Sequence, residues 1–501
     1  MLTQYAFNPK LNAKSMHGRR RIYTNVLEIT AENVVSVVTD SLGVFRQNCL
    51  EANYLWSVYC GAQDVQFRQK KTRKEIRNVV TINEANKIVT FKTAYLLADP
   101  IQYVSTDEDE ISSNGVRQLN ECMRLLHKKS LDKDLADMIH ITGFAYRLVV
   151  SNPNYTGEDW DVPGFVYNVD PTEGFCVYHS GISHRKMLGV IVEKDEDGKD
   201  VYVAYTADRC YRIKDSVVIN SDEIDGGYGE YHSYGSIPVV EYNNNIARLG
   251  AFEVVLEALN AVNELQSCRL DDVENFVNSL LIFYNCEISE EQAKELVENL
   301  GLQVTSTPDN PAKIDQIQGQ LDQTGVQAIV DDIKSEIRSI CGIPAQNDSG
   351  STSDNVGAVI YRSGWSDADS RAKDSEDEWE APEAEVIDLY CRIINDLTEM
   401  NIDSTKIDIR FPRHNLTDMQ SKVQAFIQLV NCSYVDPKDA YDYVGTGMFV
   451  DVQEAYKRGM ARAEKEKTEE LEAYKASIQT EEPEEDSDTE EEIDDGEEED
   501  R

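Results

Sequence analysis

One stretch restricts the possible folds more than any other. From Gly250 to Phe283 the chain reads GAFEVVLEALNAVNELQSCRLDDVENFVNSLLIF, with no proline and its only glycine at the start. Phe252, Val255, Leu256, Leu259, Val262, Leu265, Val273, Phe276, Val277 and Leu280 recur at helical spacing. Such a helix would be about 45–50 Å long at roughly 1.5 Å per residue. A compact domain seldom needs a rod of that length. The opposite face carries Glu253, Glu257, Glu264, Asp271, Asp272 and Glu274.

Downstream of the rod the order of segments is equally specific. The sequence predicts a strand near SLLIFYNCEI, a small helix in SEEQAKELVENLG and a second strand in LQVTSTP, closed by a TPDNPAK turn. A second long helix is expected from about Gln323 to Ile343-Pro344. A soft segment, DSGSTSDNVGAVIYRSGW (Asp348–Trp365), separates it from a third, about Asn355–Asn401, which Pro382 should kink. A strand (KIDIRFPR) and a helical cluster over about Leu416–Ile478 come next, with start signals at NLTD and YVDPKDA.

Upstream of the rod, residues 1–25 read as a polar arm with a basic knot, Arg19, Arg20 and Arg21. The HGRRR string could touch phosphate, meet a neighbour's acidic patch or stay solvated. A helix is expected from about Thr30 to Tyr59, and another over Gly115–His140. The segment VVTINEANKIVTFKTAYLLADPIQYV predicts a strand pair leading to a short helix. YRLVVS, GFVYNV, GFCVYH, MLGVIVEK, DVYVAYT and CYRIKD predict a mainly antiparallel sheet region over about 145–242. The DGGYGEYHSYG loop reads as a hairpin, because its glycines do not fit a strand–GxGxxG–helix fingerprint.

Composition narrows the functional classes. The formal net charge is −43, and Glu481–Asp500 is almost wholly acidic, so that tail is expected to be disordered. A chain this negative should not grip nucleic acid along its whole surface, although a nucleic acid could pass by it. The 10 cysteines contain no CxxC pair, which points to reduced thiols in a cytoplasm and away from a zinc knuckle. The start lacks the apolar core of a signal peptide, and no run of about 18 apolar residues predicts a membrane span. His179 and His184 have no ligand partner at metal spacing and read as loop residues. The pairs Asp271-Asp272 and Asp331-Asp332 point in different directions on a helix, which favours solvated faces over acid–base or two-metal chemistry. No P-loop, GxSxG or Ser/His/Asp pattern is present, so neither catalytic residues nor a cofactor are expected.

Several strings, in this order, resemble the portal proteins of tailed bacteriophages, of the type common in siphoviruses of Gram-positive hosts. NYLWSVYCGAQDVQFRQ resembles the family's Tyr-Tyr-x-Gly-x-Gln segment, with Cys60 in place of the second aromatic. NKIVTFKTAYLLADPIQYV is similar to its Ile-Val…Tyr-Leu-x-Gly-x-Pro-Ile segment, with Ala98-Asp99 where a glycine is usual. ITGFAYRLVV resembles the Gly-x-Ala-Tyr strand. IPVVEYNNN with the rod resembles the segment entering the stem, and STSDNVGAVIYRSG loosely resembles the string after the tunnel loop. The resemblance spans roughly 45–415.

The resemblance implies an α+β, mainly helical portal fold of wing, stem, clip and crown, in a ring usually of twelve copies. The implied parts are an arm (1–25), wing (26–249), stem helices (250–278 and 323–342) and clip (279–322). A tunnel loop with its flank (343–363), a wing spine helix and strand (364–415), a crown (416–478) and an acidic tail (479–501) complete it. The implied DNA-channel loop is Asn347, Asp348, Ser349, Gly350, Ser351, Thr352, Ser353, Asp354 and Asn355. The charge pattern adds Asp271, Asp272, Glu274, Asp331 and Lys334 as channel-facing stem residues. Glu287, Glu290, Glu291, Lys294, Glu298 and Lys313 become the clip's docking residues. The implied partners are double-stranded DNA, the large terminase subunit, a head-completion adaptor, the major capsid protein and scaffolding protein, with no membrane and no metal. Two rival readings are an acidic metal-dependent enzyme acting on nucleic acid and an acidic-tailed adaptor or chaperone.

Overall fold

The computed structural model describes residues 18–70, 74, 76–106, 110–158, 160–222, 226–277, 280–284, 313–317, 323–344, 364–398, 400–412, 419–432, 434–444 and 452–479. The chain divides into two units, Met1–Asp418 and Met419–Arg501. In chain order the first unit begins β1 (Ile22–Thr24), α1 (Val34–Tyr59), α2 (Glu84–Leu96), β2 (Gln102–Ser105), α3 (Glu110–Leu125) and α4 (Lys128–Thr142). Then come β3 (Phe144–Ser151), β4 (Gly164–Val169), β5 (Gly174–His179), β6 (Lys186–Lys194), β7 (Asp200–Tyr205), β8 (Arg209–Lys214), β9 (Val217–Val218), β10 (Glu230–Tyr231) and β11 (Val239–Asn243). It closes with α5 (Leu256–Val277), β12 (Leu280–Tyr284), β13 (Lys313–Ile317), α6 (Gln323–Cys341), α7 (Trp365–Leu397) and β14 (Ile407–Arg410).

The six strands expected between 145 and 242 are all present, but they divide between two sheets. One has the order β1-β5-β6-β7-β8-β10, with β9 on β8; the other is β11-β3-β4. Strand alternation sends successive residues to opposite faces. Phe175 and Val177 pack with Val34, Val38 and Phe45 of α1. Cys176, between them, packs with Phe144, Tyr146 and Val239 of the other sheet. The larger sheet is therefore covered by α1 on one face and by the smaller sheet on the other. The sheets touch at Gly189, where an added Cβ would stand 2.5 Å from Cβ of Val239. The smaller sheet's other face joins α4 and α7 in a third core around Trp379, Val386, Ile387 and Tyr390.

Several expectations are corrected. The helix over Gly115–His140 is two helices. At the break His127 adopts φ 53°, its N–H tightens onto Arg124 O at 3.1 Å, and its own carbonyl starts the next helix. The strand pair expected in VVTINEANKIVTFKTAYLLADPIQYV is instead α2 followed by one strand. Asn83 caps the helix by accepting from Asn86 N at 3.2 Å, and Ala85, Ile88, Val89 and Leu96 bury at helical spacing. The strand, β2, pairs with β14, remote in sequence. The rod starts later than expected: Glu253–Val255 is a 3₁₀ turn, and α5 begins at Leu256. α7 runs on through Pro382, where a kink is expected, and the carbonyl that loses its usual donor belongs to exposed Glu378, where water can serve it. The N-terminal arm is not a solvated tether over its described part. Ile22–Thr24 pairs in parallel with β5, and Arg19 is buried.

The second unit contains α8 (Met419–Val430), α9 (Pro437–Val444) and α10 (Val452–Gln479), in the region expected to hold a helical cluster. Tyr441 of α9 meets Phe426 and Tyr456 edge-on, at centroid distances of 4.9 and 5.6 Å. Asp436 starts α9 by accepting from Lys438 N at 2.8 Å, the start signal expected at YVDPKDA. The NLTD signal and the acidic tail lie outside the described residues. No helix among the described residues is long and apolar enough to cross a membrane, and every described cysteine is a free thiol.

One polar cluster sits inside the third core. Glu383 of α7 accepts from Tyr103 and Tyr242 hydroxyls, each at 2.6 Å, and pairs with Lys128 at 2.6 Å and Arg147 at 3.0 Å. Asp132 binds the same two cations. Two positive and two negative groups cancel, and five elements (β2, α4, β3, β11 and α7) meet at one carboxylate. Burial alone would raise the Glu383 carboxyl, but the Lys128 and Arg147 charges and the hydrogen bonds bring it down to about 2. Replacing Glu383 with alanine leaves buried positive charge uncompensated and should cost about 3–5 kcal/mol in a urea titration. Because the folded-state carboxyl is depressed, its stabilisation is complete above the usual value of 4.5 and is lost as pH falls toward about 2. That part of the acid-unfolding curve should flatten in Glu383→Ala.

Candidate functional site

The α5–α6 pair is built from two facing apolar stripes. Val326, Val330, Ile333, Ile337 and Cys341 recur on α6 at steps of three and four. They pack against Leu256, Leu259, Val262 and Leu265 of α5, and the same core takes in Tyr54, Leu55 and Ile88 of α1 and α2. The outward faces are chemically uniform. Among the described residues, every exposed ionisable group on these two helices is a carboxylate: Glu257, Glu264, Asp272 and Glu274 on α5, and Asp331, Asp332 and Glu336 on α6. The helices' three cations are half-buried instead: Arg269 donates to Gln327, Lys334 pairs with Glu84 at 3.5 Å, and Arg338 lies in the last turn of α6. Exposed charge of this kind repels a polyanion.

Asp271 does not belong to that surface. It is 2 % exposed and held by Arg68 (2.7 Å), Lys70 (2.9 Å) and the Asn78 backbone N–H (2.7 Å). Two more buried polar residues, one and two turns earlier on α5, act alike. Ser267 Oγ accepts from Val80 N at 3.0 Å, and Asn263 Oδ1 accepts from Ile82 N at 2.8 Å. Residues 263, 267 and 271 thus form a ladder of side-chain acceptors for alternate backbone donors of residues 78–82. This explains why 79–81 form no strand: the donors a strand would offer to a neighbour are taken by a helix. Sequence reading missed the ladder, although its signal is visible as three polar residues at steps of four on one α5 stripe.

The start of α5 and the end of α6 lie side by side, with Cys341 Sγ 3.7 Å from Ala251 O, and both are fixed. Arg19 donates to Arg248 O at 3.0 and 2.6 Å and pairs with Glu253, which also accepts from Gly250 N at 2.8 Å. At Gly250 an added Cβ would lie 2.4 Å from Ile141 O, so the start of α5 presses on the end of α4. At the far end of α6, Gly342 takes φ 68° and Arg371 of α7 donates to Ile340 O at 2.7 Å, covering a terminal carbonyl. Phe91 and Tyr95 of α2 hold Trp365 at 6.1 and 5.9 Å. Pro344 and Gly364 are consequently neighbours: a Cβ on Gly364 would stand 3.8 Å from Pro344 Cα. The chain between them leaves and returns at one point. The same holds for the segment between β12 and β13, where Tyr284 is paired with Lys313 in antiparallel register.

Of the residues singled out from sequence, Asp272, Glu274 and Asp331 are exposed, Asp271 is buried, and Lys334 is half-buried in its ion pair. Asn347–Asn355 lie outside the described residues, as do Glu287, Glu290, Glu291, Lys294, Glu298 and the strand expected in LQVTSTP. Lys313 opens β13, a strand the sequence reading did not assign. His179 accepts from Gly181 N at 3.0 Å in its own turn. Among the described residues no three His, Cys, Asp or Glu side chains converge as metal ligands.

The chain matches the family model described as "Phage portal protein, SPP1 Gp6-like" over residues 47–441. Comparison with curated proteins returned no match. Among solved structures, a chain titled "Neck of empty GTA particle computed with C6 symmetry" aligns at 11% identity and TM-score 0.38, over 72% of this chain and 89% of that one. A chain of the "Virion of native gene transfer agent (GTA) particle" aligns at 10% identity and TM-score 0.39, over 79% and 93%.

The ladder makes a local prediction. Asp271→Ala strands the Arg68 and Lys70 charges and should cost about 3 kcal/mol. Hydrogen exchange at the amides of residues 78–82 should accelerate most, before that of the α5–α6 core. Uniform acceleration along the chain would mean that the ladder has no role of its own in holding this segment.

Proposed function

We propose, because this chain belongs to the SPP1 Gp6-like family of phage portal proteins, that it is the portal subunit at one vertex of a phage-like particle, of the siphovirus type. Copies of it, twelve after the family's habit, close into a ring. Double-stranded DNA passes inward through the ring during packaging and outward at infection. The observation that carries this reading is the wholly acidic exposed charge of α5 and α6. Lining a bore, such faces let a polyanion slide because their exposed charge repels phosphate.

In this reading α5 and α6 are the stem, within 250–278 and 323–342, and 279–322 is the clip. The segment 343–363 is the tunnel loop, and 26–249 with 364–415 is the wing. The crown is 416–478. Two features support the stem assignment: both excursions, 285–312 and 345–363, spring from fixed, closed roots at ends of the helix pair. Asp272, Glu274 and Asp331 are the proposed channel-facing carboxylates; Asp271 is excluded by its burial and Lys334 by its pairing with Glu84. Gly350 and the surrounding serines let the loop bend at little steric cost, while Asp348 and Asp354 keep it hydrated. The energy for packaging comes from a large terminase subunit docked at the clip, later replaced by a head-completion adaptor. The wing meets the major capsid protein, and assembly uses scaffolding protein. The role requires no catalysis by this chain.

Negative-stain images of the purified chain should show toroids; particles that stay solitary at every concentration would rule out the ring. The triple variant D331K/D332K/E336K should still form toroids. It should fill heads with DNA about tenfold less well, since each new cation offers a phosphate contact. Lysines in place of Ser349 to Ser353 should act in the same direction. Normal filling by both variants would remove these residues from the bore.

A further inference from the structure

A second site lies away from α5 and α6. A cavity of about 620 Å³ opens between β2, α3 and the first turn of α4. Its floor is apolar, formed by Ile101, Tyr103 and Met123, all buried. Its rim is cationic, with Arg124, Lys129 and Lys133, and the positive end of the α4 dipole lies beneath them. Lys128 also lines it but is spent on Asp132 and Glu383. Asp132, the lining's sole carboxylate, is taken up by Lys128 and Arg147. Arg124 reaches Glu121 at 3.3 Å on the exposed surface, a weak pairing that competition can displace. In a chain of net charge −43 this is a locally positive mouth over an apolar pocket.

We infer that this cavity is a docking site for an acidic peptide segment of a partner protein, carrying one large apolar side chain that enters the pocket. The two halves of the lining select that chemistry together. The volume falls in the range that accepts a bulky side chain with its flanking backbone. The rim then pairs with carboxylates on either side of the anchor, and charge complementarity steers the encounter. Duplex DNA meets neither condition. It has no apolar group to fill the floor, and its long charged backbone must approach the rest of a strongly acidic protein. A short peptide touches only the positive mouth. The inference does not depend on the ring or on a DNA channel.

The test uses the full-length chain and a fluorescein-labelled acidic peptide containing one leucine, alongside the same peptide with serine at that position. The leucine peptide should bind with a dissociation constant of about 10 µM, weakening as salt is raised. The serine peptide should bind about tenfold less tightly, the loss of one buried aliphatic side chain. K129E/K133E changes one exposed and one half-buried lysine, is checked by its thermal melt, and should weaken the leucine peptide about tenfold or more. Equal binding of the two peptides would show a mere charge effect and overturn the proposal, whether or not the variant folds. Undiminished binding to K129E/K133E would place the peptide elsewhere and overturn it too. Competition by a duplex oligonucleotide or by inorganic phosphate, at equal charge concentration, would make the cavity a general anion site, with the same consequence.

Discussion

Glu383 occupies a position from which the first unit can be understood. A carboxylate with no exposure is tolerable in a protein interior only if its charge is matched and its lone pairs are filled. Lys128, Arg147, Tyr103 and Tyr242 do both, and they come from four different elements, β2, α4, β3 and β11. An apolar core of the same volume would tolerate sliding of α7 across the smaller sheet, because dispersion and burial have little direction. Hydrogen bonds at 2.6–3.0 Å do not tolerate it. The network therefore fixes the register of the long helix just after Pro382, where its own backbone bonding is weakest.

Much of this was legible in the sequence, and for identifiable reasons. The strands from β3 to β8 are short runs rich in β-branched and aromatic residues, separated by Gly, Pro and Asp turns, so local rules locate them. The α5 and α6 stripes are long enough for periodicity to decide. The family resemblance, carried by strings such as NYLWSVYCGAQDVQFRQ and ITGFAYRLVV, agrees with the matching family model. What local rules missed is non-local. Val79, Val80 and Thr81 look like a strand, but their fate is decided by Asn263 and Ser267, nearly two hundred residues away. Arg19 looks like a solvated cation in a basic run, yet Glu253 and Arg248 O draw it inside. The start of α5 was misjudged because Gly250 and Phe252 continue an apolar pattern while serving a tight junction with α4.

The same polar ladder explains how so acidic a surface stays compatible with folding. Carboxylates on α5 are sorted by position. Asp271 faces inward, where two cations and a backbone N–H hold it below the usual carboxylate range despite burial. Asp272 points outward, where water screens it, while Glu274, though exposed, accepts from Asn78 Nδ2 at 2.7 Å. Segment 68–82 supplies the cations and donors that the inner face needs. The outer face is thereby left free of any exposed basic residue among those described, a property that charge counting along the sequence would not reveal.

The proximity of Pro344 to Gly364 has a consequence for how this protein can change over generations. A framework whose two exit points already touch asks almost nothing of the span joined to them. Lengthening such a span costs only about 0.6 kcal/mol per doubling. Insertions, deletions or wholesale replacement there leave Arg371, Gly342 and the Phe91–Tyr95–Trp365 cluster unaltered. Closure of the framework therefore sets no particular length for the span between Pro344 and Gly364.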